Sequence, residues 1–69
     1  MTETARANLL AALEGIREER FSMERREYAM IQGARAGSVT WERIAGALGL
    51  NSAQAALQRY RTLEKRIGP

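Results

Sequence analysis

Gly49 constrains this chain more than any other residue. It stands between two stretches, WERIAGAL and SAQAALQRYRTLEKRI, whose apolar residues recur at helical intervals. A residue without Cβ can take the left-handed conformation that closes one helix before another begins. Ahead of it, the Thr40 hydroxyl can accept from the free N–H groups of a first helical turn, and Val39 lies five residues before Ile44 as a hydrophobic staple requires. The first helix is therefore expected to start at Trp41, run about two turns and stop at Gly49, with Leu50 covering its last turn. Asn51 or Ser52 can then cap a second helix, in which Ala56, Tyr60, Leu63 and Ile67 recur at spacings of four, three and four. One face of that helix is directed inward.

The opposite face carries chemistry of its own. At about 100° per residue, Gln54, Gln58, Arg61 and Lys65 project away from the Ala56/Tyr60/Leu63 stripe. A Gln amide can pair bidentately with the N6 and N7 edge of adenine in the major groove, and an Arg with guanine or with phosphate oxygens. The plainer reading is a solvated helix face, because Gln, Arg and Lys are good helix formers with water to face.

Charge placement favours the first reading. Residues 1–32 hold five Arg against six Glu, whereas residues 33–69 hold six cations against Glu42 and Glu64, so the halves carry −1 and +4. All of the net +3 belongs to the half with the turn. That asymmetry is expected where one region displaces counterions from a phosphate backbone, although it supplies steering and not sequence preference.

Two blocks, TWERIAGALGL from Thr40 to Leu50 and QAALQRY from Gln54 to Tyr60, carry a family resemblance. The segment Ala29 to Leu63, about half the chain, resembles the small stand-alone helix-turn-helix DNA-binding proteins of actinobacterial type. More distantly it is similar to the homeodomain-like domain of sigma factor region 4. The resemblance implies that Ala45 is the small residue where the two helices cross, that Gly49 is the turn residue and that the helix from Ser52 onward is the recognition helix. On the outward face of that helix Gln54 and Gln58 are expected to read bases, with Asn51 and Ser52 taking over if a longer turn tilts the helix, and phosphate contacts are expected from Thr40, Arg43, Arg59, Arg61 and Lys65. The chain departs from the common motif in one respect. There the turn glycine is followed six and nine residues later by buried aliphatics, which here would be Ala55 and Gln58. An amide is unsuited to a core, and the apolar stripe begins instead at Ala56 and Leu57. The turn is thus expected to be one or two residues longer than usual.

The first half must supply the rest of the core. Thr2 or Thr4 can cap a helix that carries Leu9, Leu10, Leu13 and Ile16 on one face, with Glu3 at the positive end of its dipole. The apolar register then weakens: continuing from Leu9, Leu13 and Ile16 places Arg20 and Glu27 in line with Met23 and Met30, while Phe21, Tyr28 and Ile31 fit a rotated stripe. This predicts a kink or break at Phe21 and Ser22, with Ser22 as a new N-cap and a second helix ending at Gly37. Gly15 and Gly33 each cost a helix about 1 kcal/mol relative to Ala, which close helix packing would explain. The expectation is an all-α fold of four helices, near 3–20, 22–36, 41–48 and 52–66, or of three if the first two are continuous. Ile31 and Met30 are expected to cover Ile44, Leu48 and Leu57, with Trp41 and Tyr60 at the edge. Residues 1–36 then act as a helical support for a helix-turn-helix over 40–66, all within one domain.

A chain of 69 residues without Cys or His has neither a disulfide nor an ordinary zinc site to reinforce a small core. Dimerisation is a natural remedy, with Leu9, Leu13 and Ile16 as the surface for it; the alternative is that this helix packs back on its own domain. A two-fold dimer reading a palindrome would set its recognition helices about 34 Å apart. No apolar run approaches the roughly 18 residues of a membrane span, and MTETARANLL lacks a basic leader, so a cytoplasmic, nucleoid-associated protein is expected. Without a nucleophile–base pair the chain is not expected to be an enzyme, and no cofactor is called for. Glu18, Glu19, Glu24 and Glu27, alternating with Arg, read as a solvated, ion-paired helix surface and not as metal ligands. Two functions follow. One is sequence-specific binding of double-stranded DNA by a small transcriptional regulator. The other is an adaptor of helix-turn-helix-like fold that binds RNA polymerase or another regulator through its N-terminal helices.

Overall fold

The structure is a computed structural model that describes residues 1–68. Its described residues form three helices and no strand: α1 (Glu3–Ala36), α2 (Trp41–Leu48) and α3 (Ala53–Ile67). The fold is therefore all-α with one long N-terminal helix, and the first two expected helices are continuous. Thr2, not Thr4, caps α1, its hydroxyl accepting from the Ala5 amide at 3.0 Å. No break occurs at Phe21 or Ser22, so Ser22 is not a cap. The change of apolar register marks instead a change in what the helix faces. Glu24 is the first buried residue of α1, and from there Glu24, Tyr28, Ile31 and Ala34 turn toward α2 and α3, whereas Leu9, Leu10, Leu13 and Ile16 precede the other two helices and stay exposed.

Both turns close in the same way. After α2, Gly49 has φ +72° and ψ +23°; its amide donates to the Gly46 carbonyl at 3.2 Å, and the Leu50 amide to the Ala45 carbonyl at 2.8 Å. This crossed pair of bonds satisfies carbonyls that a helix end otherwise leaves open, and it requires a left-handed residue at the glycine. At the end of α1 the same pair runs from Ser38 to Arg35 at 3.0 Å and from Val39 to Ala34 at 2.9 Å. Here the left-handed residue is Ser38, with φ +64°, while Gly37 has φ −88°. The expected turn glycine thus lies one residue before the position that needs one. Thr40 and Ser52 cap the two following helices, accepting from the amides of Arg43 at 3.2 Å and Ala55 at 3.1 Å.

The core is small. Ile31 from α1, Ile44 and Ala45 from α2, and Ala56 and Leu63 from α3 are buried, with Tyr28, Val39, Trp41, Leu50, Tyr60 and Ile67 packed around them. The spacing of Ala56, Tyr60, Leu63 and Ile67 has the helical period of a face turned inward, and that face is the one α3 presents to the core. Met30 does not join it: this side chain is 70% exposed and Leu48 is 38% exposed, because the α1 face that meets α2 and α3 is centred on Ile31.

Polar contacts complete the seat of α3 on α1. The Arg59 guanidinium donates to both oxygens of Glu27, at 2.8 and 2.9 Å, and Arg66 lies 2.9 Å from Glu24 Oε2. Glu24 is 6% exposed, and its Oε1 has no hydrogen-bond partner. These two carboxylates are therefore not a solvated surface but the bridge between helices, which gives Glu27 a reason to stand in line with Met23 and Met30. The Tyr28 and Tyr60 rings stack with centroids 5.1 Å apart, and Trp41 packs against Tyr60 at 5.6 Å. The Tyr60 hydroxyl beside it, loss of hydration and the Glu64 carboxylate push the Tyr28 hydroxyl up to about 12.

Two predictions concern the turns. A Cβ at Gly49 meets no atom within 4 Å, so the penalty for Gly49→Val comes from the positive φ itself; it should lower stability by about 1 to 2 kcal/mol in thermal melting. Ser38→Gly should raise stability by about 0.5 kcal/mol, the relief of a left-handed serine less the entropy that glycine brings to the unfolded chain.

A third concerns acid. Arg59 holds the Glu27 carboxyl below its ordinary value of 4.5, first by hydrogen bonding. A carboxyl depressed on folding stabilises fully above its ordinary value, and the contribution disappears as pH falls through the lowered folded value. Glu27→Gln should therefore cost about 1 kcal/mol at neutral pH, a value kept modest because water still reaches the pair. The gap in melting temperature between wild type and variant should close on acidification; a gap independent of pH would assign the loss to packing.

Candidate nucleic-acid interface

The candidate surface is built by α2, the turn and α3. Ser52 fixes the start of α3, and the burial of Ala56 and Leu63 fixes its rotation about its own axis. That rotation leaves Gln54, Gln58, Arg61 and Lys65 exposed. The two amides are one turn apart near the helix start, and the two cations follow toward its end. Asn51 and Ser52 are also exposed, in the four-residue connection from Gly49 to Ser52. Gln58 lies outside the core and Ala56 inside it, as expected for a connection longer than the common one.

The expected phosphate ligands fall into two groups. Arg43, Arg61 and Lys65 are exposed and form no ion pair among the described residues. Arg59 differs: its Nε and Nη2 groups are taken by Glu27, so in this structure it holds α3 against α1 with its charge balanced there. Hydrogen bonding by Glu27 raises its already high pKa further. Thr40 is exposed, and its oxygen already accepts the Arg43 amide, which leaves its hydroxyl proton for an outside acceptor.

Two further cations of this half are engaged within the fold, and sequence reasoning did not find this. Arg35 lies over the Trp41 ring at 4.9 Å and donates to the Val39 carbonyl at 2.9 Å, while Arg66 is held by Glu24. The sequence signal was present in the excess of Glu in the first half and of Arg in the second. Part of that asymmetry is complementarity between helices of one chain. After these pairings the outward cations are Arg43, Arg61 and Lys65, and they lie on α2 and on the α3 face turned away from the core.

The Leu9, Leu13 and Ile16 stripe is exposed, at 53%, 60% and 48%, on the part of α1 that precedes its packed region. It does not fold back on its own domain. Farther along α1, Met23, Met30 and Ile31 join Ala47 and Leu48 of α2 around an open apolar groove of about 510 Å³, with Arg26 and Arg43 also at its walls. No helix is long and apolar enough to cross a membrane, and no group of three or more potential metal ligands occurs, both among the described residues. Comparison with protein-family models, curated proteins and solved structures finds no match to this chain.

Proposed function

We propose that this protein binds double-stranded DNA in a sequence-dependent way, as a small transcriptional regulator with α3 in the major groove. The observation that carries this reading is the division of α3 into two faces. Ala56 and Leu63 are wholly buried, while the opposite face presents two amides and two unpaired cations to solvent. A helix held by its neighbour across a glycine turn, with its own outer face unobstructed, suits insertion into a groove that admits one α-helix. In this reading Gln54 and Gln58 read base edges, with Asn51 and Ser52 beside them at the helix start. Arg43, Arg61, Lys65 and the Thr40 hydroxyl hold phosphates. The resemblance of the Thr40–Leu50 and Gln54–Tyr60 blocks to small helix-turn-helix proteins supports the same assignment. The second reading, an adaptor for RNA polymerase or another regulator, draws on the exposed apolar surface of α1 and needs no phosphate contact.

Duplex binding and its salt dependence separate the two. Arg61→Ala and Lys65→Ala should each weaken binding to all duplexes alike and lower the salt slope by about one charge. The Gln54→Ala/Gln58→Ala protein should keep its fold and its non-specific affinity. It should lose about 1 to 3 kcal/mol of discrimination between a selected sequence and a scrambled one. An unaltered ratio of those two affinities would make the glutamines ordinary surface residues; no salt-sensitive retention on any duplex would remove DNA as the ligand and leave the adaptor reading.

A further inference from the structure

From the exposed seam of α1 we infer that two copies of this chain pair through antiparallel α1 helices, each laying its N-terminal aliphatic ridge into the α1/α2 groove of the other, with Leu13 opposite Met30. Leu9, Leu13, Ile16, Arg20, Met23, Glu27 and Met30 follow one another at alternating spacings of four and three along a single uninterrupted helix. That repeat defines one continuous face. Its first part is a ridge on helix that neither α2 nor α3 covers, and its second part, where Met23 is 62% and Met30 70% exposed, forms one wall of the groove completed by Ala47 and Leu48. Ridge and groove lie on the same side of the same rod at different heights. A second copy related by a two-fold axis across that rod therefore fills both grooves at once, by one self-complementary contact.

Charge selects the orientation and the register. A parallel pair would set Arg20 against Arg20 and Glu27 against Glu27. In an antiparallel pair the heptad allows registers only in steps of seven residues, and two of them overlap most of the 34-residue helix. One sets Leu13 opposite Met23 and brings the two copies of Glu19 together on the flank. The other sets Leu13 opposite Met30, and on that same flank it faces Glu19 with Arg26 of the second copy, twice. Only the second matches opposite charges. It also places Ala12 against Gly33, a glycine whose added Cβ would meet nothing within 4 Å in the single chain. Gly33 weakens α1 by about 1 kcal/mol relative to alanine and no contact inside the monomer requires it; close approach of the second copy at that point would account for it. None of the groove residues comes from α3, so the pairing leaves Gln54, Gln58, Arg61 and Lys65 exposed; of the outward cations only Arg43, at the groove wall, borders the second copy.

Sedimentation of the wild-type protein tests the pairing, and introduced cysteines test its register, since the described residues contain no free cysteine. The wild type should sediment as a dimer at micromolar concentration. Mild oxidation of Leu13→Cys/Met30→Cys should give a covalent dimer on a non-reducing gel, whereas Leu13→Cys/Met23→Cys should stay monomeric. Bridging within one chain is prevented because positions 13 and 30 are about 25 Å apart on a rigid helix. Glu19→Arg should weaken the dimer by about tenfold or more, through two like-charge contacts, and Arg26→Glu added to it should restore the affinity. A wild type that remains monomeric at the highest concentration overturns the proposal. Cross-linking through position 23 in place of 30, or a charge reversal that fails to restore the dimer, overturns the register.

Discussion

Leu63 is the largest side chain wholly excluded from water, and the arrangement of the three helices depends on its sharing one buried cluster with Ile31 of α1 and Ile44 of α2. Burying one leucine contributes about 1.5 to 3 kcal/mol, and the other buried members of the core are two isoleucines and two alanines. So little apolar area holds a helix only if its edges are secured as well. The Arg59–Glu27 fork, the Arg66–Glu24 pair and the Tyr28–Tyr60 stack provide this, all between α1 and α3. They fix how α3 is rotated, and with it which residues face outward.

That manner of holding α3 limits what its surface has left for a ligand. Of the cations in the second half of the chain, Arg35, Arg59 and Arg66 are engaged by an aromatic ring, a carbonyl or a carboxylate of the fold. An anionic partner would therefore meet fewer charges than the composition counts, grouped on α2 and on the outward side of α3. Fewer phosphate contacts imply a shallower salt dependence than the formal charge of this half suggests.

The remainder of α1 poses the opposite problem. A helix this long extends beyond the helices that could cover it, so a row of large aliphatic side chains stands in water. Small chains bury a smaller share of their surface than large ones, and an exposed apolar face at regular spacing is the usual way to gain more. The ridge and the groove lie along one helix and not two, because α1 is continuous through Phe21 and Ser22.

The sequence by itself determined the elements that depend on local physics. The cap at Thr40, a cap at Asn51 or Ser52, the left-handed Gly49, the bounds of α2 and the inward stripe of α3 follow from hydrogen-bonding groups and periodicity within a few residues; the structure places the second cap at Ser52. The tertiary structure alone decided three things that depend on residues far apart in the chain. It joined α1 through Ser22, because a register shift in side chains does not interrupt a helical backbone. It turned Glu24 and Glu27 from surface charges into the partners of Arg66 and Arg59, more than thirty residues away, and so withdrew Arg59 from the candidate site. It exposed Met30 while burying Ile31, since one residue of rotation about a helix axis, about 100°, separates the core from solvent. The period of a single helix reveals that it has an apolar face; where that face points is set by the helices packed against it.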